Sequence, residues 1–258
     1  MLVAINGFFG QMGQMVYSEV LKSPDFDFAG GVDLVAQNKE QILHKSNFVL
    51  NDDKLKIFGD LFMIKKCNGV IDFSNPSALN QVLNFCLDRR VPLILATTGL
   101  SESDKRKVEF ASKYIPIFMS SNLSVAVQVL CDLVAHATEK LKNYDIEIVE
   151  THHNKKKDAP SGTAIMIAKK IVETNKILAL TTETKRPPMA NKVGVHSLRG
   201  GGIVGEHEVF FLGENDSIKI THTAYSREIF ARGALDAMRF LKEKQKGLYS
   251  MQDLLKER

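Results

Sequence analysis

Hydrophobic residues in the first half of the chain form short continuous runs, which longer amphipathic segments separate. The runs predict strands at Leu2–Asn6, Phe28–Asp33, Gly69–Phe73, Pro92–Thr97 and Ile115–Ser120. The segments between them predict helices at Met12–Ser23, Ser77–Arg89 and Ser101–Tyr114. Apolar strands that alternate with helices are typical of a parallel sheet covered on both faces. The pattern therefore predicts a doubly wound α/β domain that ends near Leu123.

In the second half of the chain the hydrophobic positions alternate with polar ones. After a predicted helix at Val125–Lys142, the alternation predicts strands at Asp145–Val149, Val193–Leu198, Glu206–Leu212 and Ile218–Thr221. Such strands indicate a mixed or antiparallel open sheet with one covered face. The remaining predictions are a loop with two prolines at Glu183–Lys192 and two closing helices at Arg227–Lys244 and Met251–Glu257.

Composition narrows the class of protein. The chain has 258 residues, of which 44% are hydrophobic and 25% charged, as in globular proteins of one or two domains. No apolar run reaches the roughly 18 residues that cross a bilayer, and no signal peptide is expected. A net charge of +4 suits a small anionic ligand better than nucleic acid. Cys67, Cys86 and Cys131 lack C-x-x-C spacing, which favours a reducing cytoplasm over disulfides or a Cys-built zinc site.

The first predicted strand leads directly into a glycine-rich turn. Gly7, Gly10 and Gly13 follow a G-x-x-G-x-x-G spacing, a variant of the dinucleotide-binding fingerprint. Glycines there allow a tight reversal and a close backbone approach to pyrophosphate, and the next helix start presents N–H groups to it. Asp33 ends the second strand about 20 residues after Gly13, where an acid can bind the adenosine ribose.

Glycines at a strand–helix turn also occur without a ligand, but here strand, glycines, helix and acid are in register, which favours a dinucleotide site. Leu34, and not an arginine that could hold a 2′-phosphate, follows Asp33. This favours NADH over NADPH, unless Lys39 or another base substitutes. The later strand ends Ala96–Gly99 and Ser120–Leu123 are expected at the same crevice, although an ordinary polar turn explains each equally well.

Proton carriers, cations and a helix start fall together between Glu150 and Ala164. His152 and His153 titrate near neutrality, and a first helical turn at Pro160–Thr163 could bind a carboxylate through its N–H groups. The run of lysines at 155–157 alone would be typical of a solvated loop. Adjacent histidines on a strand face opposite sides, so a zinc site is discounted.

A third segment, Arg199–Glu208, contains three consecutive glycines. These indicate a flexible hairpin or a close backbone approach. His207 and His222 lie in strand patterns and are interpreted as structural.

The segment from Glu150 to Ala164 resembles the signature of the dihydrodipicolinate reductases, also called 4-hydroxy-tetrahydrodipicolinate reductases, of bacterial lysine and diaminopimelate biosynthesis. That signature reads E-x-H-H-x-x-K-x-D-A-P-S-G-T-A, and every fixed position is met. The resemblance extends along the whole chain, through the segments Val3–Gly13, Ile71–Phe73, Ala96–Gly99, Asn122–Val125, Ile203–His207 and Ile220–His222.

The resemblance implies an N-terminal Rossmann-type domain over residues 1–123 and 234–258, and a C-terminal α+β domain with an open mixed sheet over residues 124–233. The second domain is expected to bind substrate and to form a homotetramer. The implied activity is the cytoplasmic, NADH- or NADPH-dependent reduction of 4-hydroxy-tetrahydrodipicolinate to tetrahydrodipicolinate. Hydride transfer would require closure, with hinges expected near Leu123–Ser124 and Gly233.

The resemblance also implies roles by position. His152 and Lys156 are expected to be catalytic, and His153, Gly162 and Thr163 are expected to bind the dicarboxylate substrate. The residues expected to contact the cofactor are Gly7, Phe8, Phe9, Gly10, Gln11, Met12, Asp33, Ala96, Thr97, Thr98, Ser120, Ser121, Asn122 and Leu123.

Three other classes of protein fit the sequence less well. An NAD-binding regulatory module would not need the histidine–lysine cluster. A second alternative is another Rossmann oxidoreductase, such as a semialdehyde or homoserine dehydrogenase. The semialdehyde dehydrogenase would need a nucleophilic cysteine, and none of the three lies in a glycine- or histidine-rich motif. A nucleic-acid binder is disfavoured by the mild charge and the absence of tryptophan.

Overall fold

The computed structural model describes residues 1–34, 56–182 and 191–258, which form two compact units. Unit 1 comprises Met1–Leu123 and Glu228–Arg258, and unit 2 comprises Ser124–Arg227. Lys39 and most of the predicted proline-containing loop lie outside the described residues. Within those ranges, no helix has the length and apolar character needed to cross a membrane.

A seven-stranded parallel sheet forms the centre of unit 1, in the order β12-β6-β5-β4-β1-β2-β3. Its strands are β1 (Leu2–Asn6), β2 (Asp27–Val32), β3 (Ile57–Phe58), β4 (Gly69–Asp72), β5 (Leu93–Leu95), β6 (Pro116–Met119) and β12 (Gly247–Tyr249). The helices of this unit are α1 (Gln11–Lys22), α2 (Leu79–Arg89), α3 (Glu102–Ser112), α6 (Glu228–Lys242) and α7 (Met251–Lys256), and short 3₁₀ turns lie at Leu61–Met63 and Pro76–Ala78.

Helices cover both faces of this sheet. On one face, α2 and α3 bury side chains such as Phe85 and Val108 against Val70 and Leu93 of the central strands. On the other face α1 packs beside α6, and Phe240 of α6 lies edge-on to Phe118 of β6 with ring centroids 6.0 Å apart. Burial on both faces explains the continuous apolar runs, and the predicted doubly wound α/β domain is confirmed.

The return of the chain to unit 1 differs from the sequence prediction. It occurs at Glu228 and not at Ala234, because α6 is one continuous helix from Glu228 to Lys242. Gly233 lies inside this helix, where a Cβ would be 1.8 Å from the carbonyl oxygen of Leu123. The absence of a side chain at Gly233 therefore lets α6 pack closely on the backbone at Leu123, and a hinge near Gly233 stays a prediction.

Unit 2 is a five-stranded mixed sheet with the order β11-β10-β7-β9-β8. β10 pairs antiparallel with β7 and β11, whereas β9 pairs parallel with β7 and β8. The elements of this unit are α4 (Val125–Lys140), β7 (Asp145–His152), α5 (Gly162–Thr174), β8 (Ala179–Thr181), β9 (Lys192–Arg199), β10 (Gly205–Leu212) and β11 (Ser217–Ala224).

Helices α4 and α5 pack on one face of this sheet. Their buried Leu130 and Ile167 belong to the same core as Ile148, Val209 and Phe211 of the central strands. This one-sided core explains the alternation along β7 and β10, and the predicted mixed sheet is confirmed. The sequence did not indicate β3, β8 or β12, since strands of two or three residues are too short to show a period.

Candidate active site

The glycine turn after β1 has backbone geometry that explains its glycines. Gly7 adopts a φ of +79°, and a Cβ there would lie 2.7 Å from the carbonyl oxygen of Phe73. A Cβ on Gly13 would lie 2.2 Å from the carbonyl oxygen of Gly7, so α1 packs tightly on the turn. Gly10 is the N-cap of α1 and has no side chain with which to occupy the first helical turn.

Asp33 is brought to this turn by a hydrogen bond. The backbone N–H of Phe9 donates to Asp33 Oδ2 at 3.0 Å, and the N–H of Asp33 donates to the carbonyl of Phe58. The side chain of Leu34 beside it is 60% exposed. A glycine turn, an uncapped helix start and a carboxylate at the end of β2 fit the pyrophosphate and ribose of a dinucleotide.

Some of the residues expected to contact a cofactor lie in the core. Phe8 is buried against the rings of Tyr17 and Phe28, and its N–H donates to the carbonyl of Val32. The side chain of Leu123 is also buried. The remaining members lie at the start of α1, where Gln11 is exposed and Met12 half-buried, or at the strand ends described next.

A buried carboxylate connects the ends of three central strands. Asp72, at the end of β4, accepts hydrogen bonds from Asn6 Nδ2 at 2.7 Å, Ser74 Oγ at 2.6 Å and Thr97 Oγ1 at 2.6 Å. Burial raises the pKa of Asp72, and these hydrogen bonds oppose that rise. Neither Asp72 nor Asn6 was among the residues predicted for the site, although a polar residue at the end of an apolar strand is a signal that could have indicated both.

The other predicted strand ends are polar turns with their own hydrogen bonds. The N–H of Ala96 donates to the Asp72 carbonyl, and Thr98 is exposed. Ser120 Oγ donates to the carbonyl of Asn122 at 2.6 Å, and Ser121 is exposed. Both turns follow strands of the same parallel sheet, and therefore they lie along the edge where such sheets bind ligands.

In unit 2 the covered face of the sheet ends in charged side chains. Glu150 shares the inward alternation of Ile148 on β7 and is 0% exposed. Arg199 donates to both of its carboxylate oxygens, at 2.7 and 2.8 Å, and the N–H of Ser161 donates to Oε1 at 3.0 Å. His152 Nδ1 lies 2.5 Å from Oε2. Burial raises the pKa of Glu150, but hydrogen bonds from Arg199, Ser197 and His152 outweigh burial and the net direction is downward.

His152 is the last residue of β7 and is buried with its imidazole between polar groups. Its ring lies edge-on to that of His207, with the centroids 5.3 Å apart. Burial lowers the pKa of His152, and the charges of Lys156 and Arg199 act in the same direction, whereas Glu150 opposes them. The net lowering keeps the ring neutral at neutral pH, where a histidine can both accept and return a proton.

The loop after β7 brings the expected substrate and catalytic residues towards this histidine. Lys156 Nζ contacts both carboxylate oxygens of Asp158, and its backbone N–H donates to the carbonyl of His153. Ser161 caps α5 by accepting from the N–H of Ala164 at 3.1 Å. A Cβ on Gly162 would meet nothing within 4 Å, so the first turn of α5 is open beside that glycine.

His153 has a partner that the sequence did not suggest. Arg227 Nη2 lies 3.2 Å from His153 Nε2, and a guanidinium can only donate, so the ring proton of neutral His153 lies on Nδ1. That Nδ1 is buried and has no hydrogen-bond partner within the part of the chain that the structure describes. An Nδ1–H of this kind is suited to donate to a ligand oxygen.

The triple-glycine segment approaches the histidine loop closely. The N–H of Gly200 donates to the His152 carbonyl at 2.9 Å, and the N–H of His153 donates to the carbonyl of Ile203 at 2.8 Å. A Cβ on Gly205 would lie 3.0 Å from His152 Nε2. A Cβ on any of the three consecutive glycines would meet nothing within 4 Å, so close approach explains Gly205 but not the triplet, where the φ of +52° at Gly201 indicates a turn.

Two further side chains lie at this site: Arg199, for which the sequence predicted no role, and His207, which it predicted to be structural. Arg199 closes β9 opposite His152 of β7, and pairs with Glu150. His207, interpreted from its strand pattern as structural, lies 3.0 Å by Nε2 from Ser161 Oγ and forms part of the wall around His152. Among the residues that the structure describes, no group of three or more His, Cys, Asp or Glu side chains is arranged to hold a metal ion.

A doubly wound unit with a dinucleotide turn, together with a second unit that holds a buried histidine close to a lysine, defines a pyridine-nucleotide-dependent oxidoreductase. Sequence models of the family described as dihydrodipicolinate reductase match the chain over residues 1–123 for the N-terminal part and 126–255 for the C-terminal part. The chain belongs to the dihydrodipicolinate reductase family.

Individual relatives agree with this assignment. The 4-hydroxy-tetrahydrodipicolinate reductase of Caldanaerobacter subterraneus subsp. tengcongensis is 43% identical, over 98% of this chain and 97% of that one. The protein of the same name from Clostridium novyi is 36% identical, over 99% and 98%. A dipicolinate-bound dihydrodipicolinate reductase structure from Paenisporosarcina sp. TG-14 shares the fold, with a TM-score of 0.81 at 22% identity over 97% of each chain.

Proposed function

We propose that this protein reduces 4-hydroxy-tetrahydrodipicolinate to tetrahydrodipicolinate with a reduced pyridine nucleotide. The family assignment supports this reaction. The observation that carries it is the buried His152, held by Glu150 at the end of β7 and followed by Lys156 and the open start of α5. A histidine of this kind can act as an acid–base group, and a lysine and an open helix start can bind carboxylates.

The substrate is a ring with two carboxylates. His153, Gly162 and Thr163 are proposed to bind them: His153 through its buried Nδ1–H, and the other two through the N–H groups at the start of α5. The Paenisporosarcina relative was solved with dipicolinate, a ring that also carries two carboxylates. Lys156, now paired with Asp158, can exchange that carboxylate for one of the substrate's.

The chemistry needs one proton from the protein. Loss of the substrate's 4-hydroxyl group as water gives a conjugated imine, and the reduced nicotinamide supplies a hydride to ring C4. The resulting enamine then requires a proton on C3. We propose that His152 and Lys156 supply or relay this proton. Closely packed backbone around His152 limits the access of water to this step.

NADH is the proposed preferred cofactor. Leu34, 60% exposed beside Asp33, offers no positive charge to a 2′-phosphate, while the Asp33 carboxylate suits the free ribose hydroxyls of NADH. The resemblance also supports a homotetramer, which light scattering of the purified protein can test.

The reaction is tested by following the absorbance of NADH while dihydrodipicolinate synthase generates the substrate in the same cuvette. We expect NADH to be oxidised only when the synthase and its own substrates are present. Dipicolinate is expected to inhibit competitively with the substrate. Failure of the purified protein to oxidise either NADH or NADPH under these conditions would contradict the proposed function.

A further inference from the structure

The buried Glu150 carboxylate receives only donors. Arg199 contributes both terminal guanidinium nitrogens, and Ser161 contributes its backbone N–H. These three bonds occupy Oε1 twice and Oε2 once, Ser197 adds a side-chain hydrogen bond, and Oε2 also accepts from His152 Nδ1. A carboxylate satisfied in this way is held in its ionised form and in one orientation.

An ionised and immobile acceptor determines where the ring proton of His152 lies. The Nδ1 atom must carry a hydrogen in order to bond Glu150 Oε2, because a carboxylate cannot donate. In the neutral ring the other nitrogen, Nε2, is then free of hydrogen. Gly205 leaves space next to Nε2, because the Cβ of any other residue at that position would lie 3.0 Å from this atom and crowd it.

We propose that Glu150 is a positioning residue that holds His152 as its Nδ1–H tautomer, with Nε2 as the atom that exchanges the proton with substrate. This role rests on the proposed reductase function. Neither the glutamate nor Arg199 touches the reacting atoms: Arg199 keeps Glu150 charged, and Glu150 in turn orients the imidazole and stabilises its protonated form.

The charges around His152 make this support necessary. Burial opposes the imidazolium form, and the positive charges of Arg199 and Lys156 oppose it as well. The carboxylate of Glu150 is the group that offsets them. The titratable and charged side chains that face this pair come from the loop after β7 and from the three neighbouring strands, namely Lys156, Asp158, Arg199, His207 and His222.

The test substitutes Glu150→Gln in the full-length protein. An amide keeps the shape but removes the charge, and its NH₂ group can accept a hydrogen bond from neither Arg199 nor His152. We expect kcat to fall roughly 10²-fold. We also expect the pH at which the protonated form of His152 is lost to move down by about one unit in the kcat profile.

The matched control is Glu147→Gln. Glu147 lies on the same strand with its carboxylate 2.8 Å from His196 Nε2, so it forms a second glutamate–histidine pair on the opposite face of the sheet. This variant is expected to keep the wild-type kcat and pH profile. Glu150→Asp, which retains the charge at a shorter reach, is expected to recover part of the lost rate.

A spectroscopic measurement separates positioning from folding and from the reaction itself. Long-range ¹H–¹⁵N NMR spectra of histidine-labelled protein, assigned with His152→Gln, report which ring nitrogen carries the proton. We expect the Nδ1–H form in the wild type and its loss in Glu150→Gln. A fall in kcat with an unchanged tautomer and pH profile would show a merely structural role and would overturn the proposal.

Two further outcomes are also decisive. If Glu150→Gln does not fold, the wild-type spectrum alone decides, because an Nε2–H tautomer of His152 contradicts the proposal and an Nδ1–H tautomer supports it. If the wild type has no reductase activity, the proposed function fails, while the tautomer measurement still tests the link between Glu150 and His152.

Discussion

Lys156 places its ammonium nitrogen 2.8 Å from each carboxylate oxygen of Asp158. This ion pair lowers the pKa of Asp158, which therefore remains an anion at neutral pH. The carbonyl of Asp158 also accepts a hydrogen bond from Arg199, so the loop that carries Lys156 is connected to the Glu150–His152 pair. The positive charge of Lys156 is thus already balanced by Asp158 before any substrate binds.

Removal of either proposed acid–base side chain should slow turnover. For His152→Gln and Lys156→Ala we expect kcat to fall by about 10²–10⁴-fold, the usual contribution of a positioned acid or base. Initial rates with saturating NADH measure this effect. Lys157→Ala is the control, since Lys157 is an exposed neighbour without an assigned role. Near-normal kcat in both test variants would remove these residues from the catalytic role.

Cofactor choice should respond to position 34. We expect the wild type to have a higher kcat/KM with NADH than with NADPH, and Leu34→Arg to shift that ratio toward NADPH, because an arginine beside Asp33 can pair with a 2′-phosphate. Leu21→Arg makes the same change at another exposed leucine of unit 1 and should leave the ratio as it was. A wild-type preference for NADPH would contradict this prediction.

Gly13→Ala should destabilise unit 1. The added methyl group would lie 2.2 Å from the Gly7 carbonyl oxygen, which is backbone and cannot move without shifting the start of α1. We expect a loss of about 1–3 kcal/mol, typical of overpacking, in urea unfolding followed by circular dichroism. Gly202→Ala, which would meet nothing within 4 Å, should retain wild-type stability. Equal stabilities of the two variants would show that the turn relaxes freely.

The free energy of unfolding should decrease as the pH falls, partly because His207 is buried. Burial lowers the pKa of this histidine to about 3, and the neighbouring His152 and His222 add to the effect. Between pH 6.5 and 3 the unfolded chain binds a proton here that the folded chain does not, so acidification favours unfolding by about 1 kcal/mol per pH unit. His207→Gln should therefore lose less stability than the wild type between pH 6.5 and 5 in urea titrations.

His136→Gln provides the comparison for that experiment. His136 lies exposed on α4, and its replacement should leave the pH dependence of the wild type intact. If the stability of His207→Gln fell with decreasing pH as steeply as that of the wild type and of His136→Gln, His207 would not be the source of the pH dependence, and the prediction would fail.

The alternation along β7 shows what the sequence could and could not predict. It predicted the strand and its buried face, but Glu150 falls on that face, and only the partner Arg199, distant in sequence, explains why a carboxylate lies there. The glycine turn was predictable because its constraints are local. The partnership of Arg227 with His153, and the place of His207 beside Ser161, depend on strand pairing that no local period encodes.

Unit 1 is assembled from both ends of the chain, with β12 pairing to β6 and α6 packing beside α1. During synthesis on the ribosome, unit 2 is complete at Arg227, while the parallel sheet still lacks the edge strand β12 and the helices α6 and α7. The apolar strands of unit 1 therefore stay partly uncovered until the segment Glu228–Arg258 has been made, and over that interval they are open to aggregation with other chains.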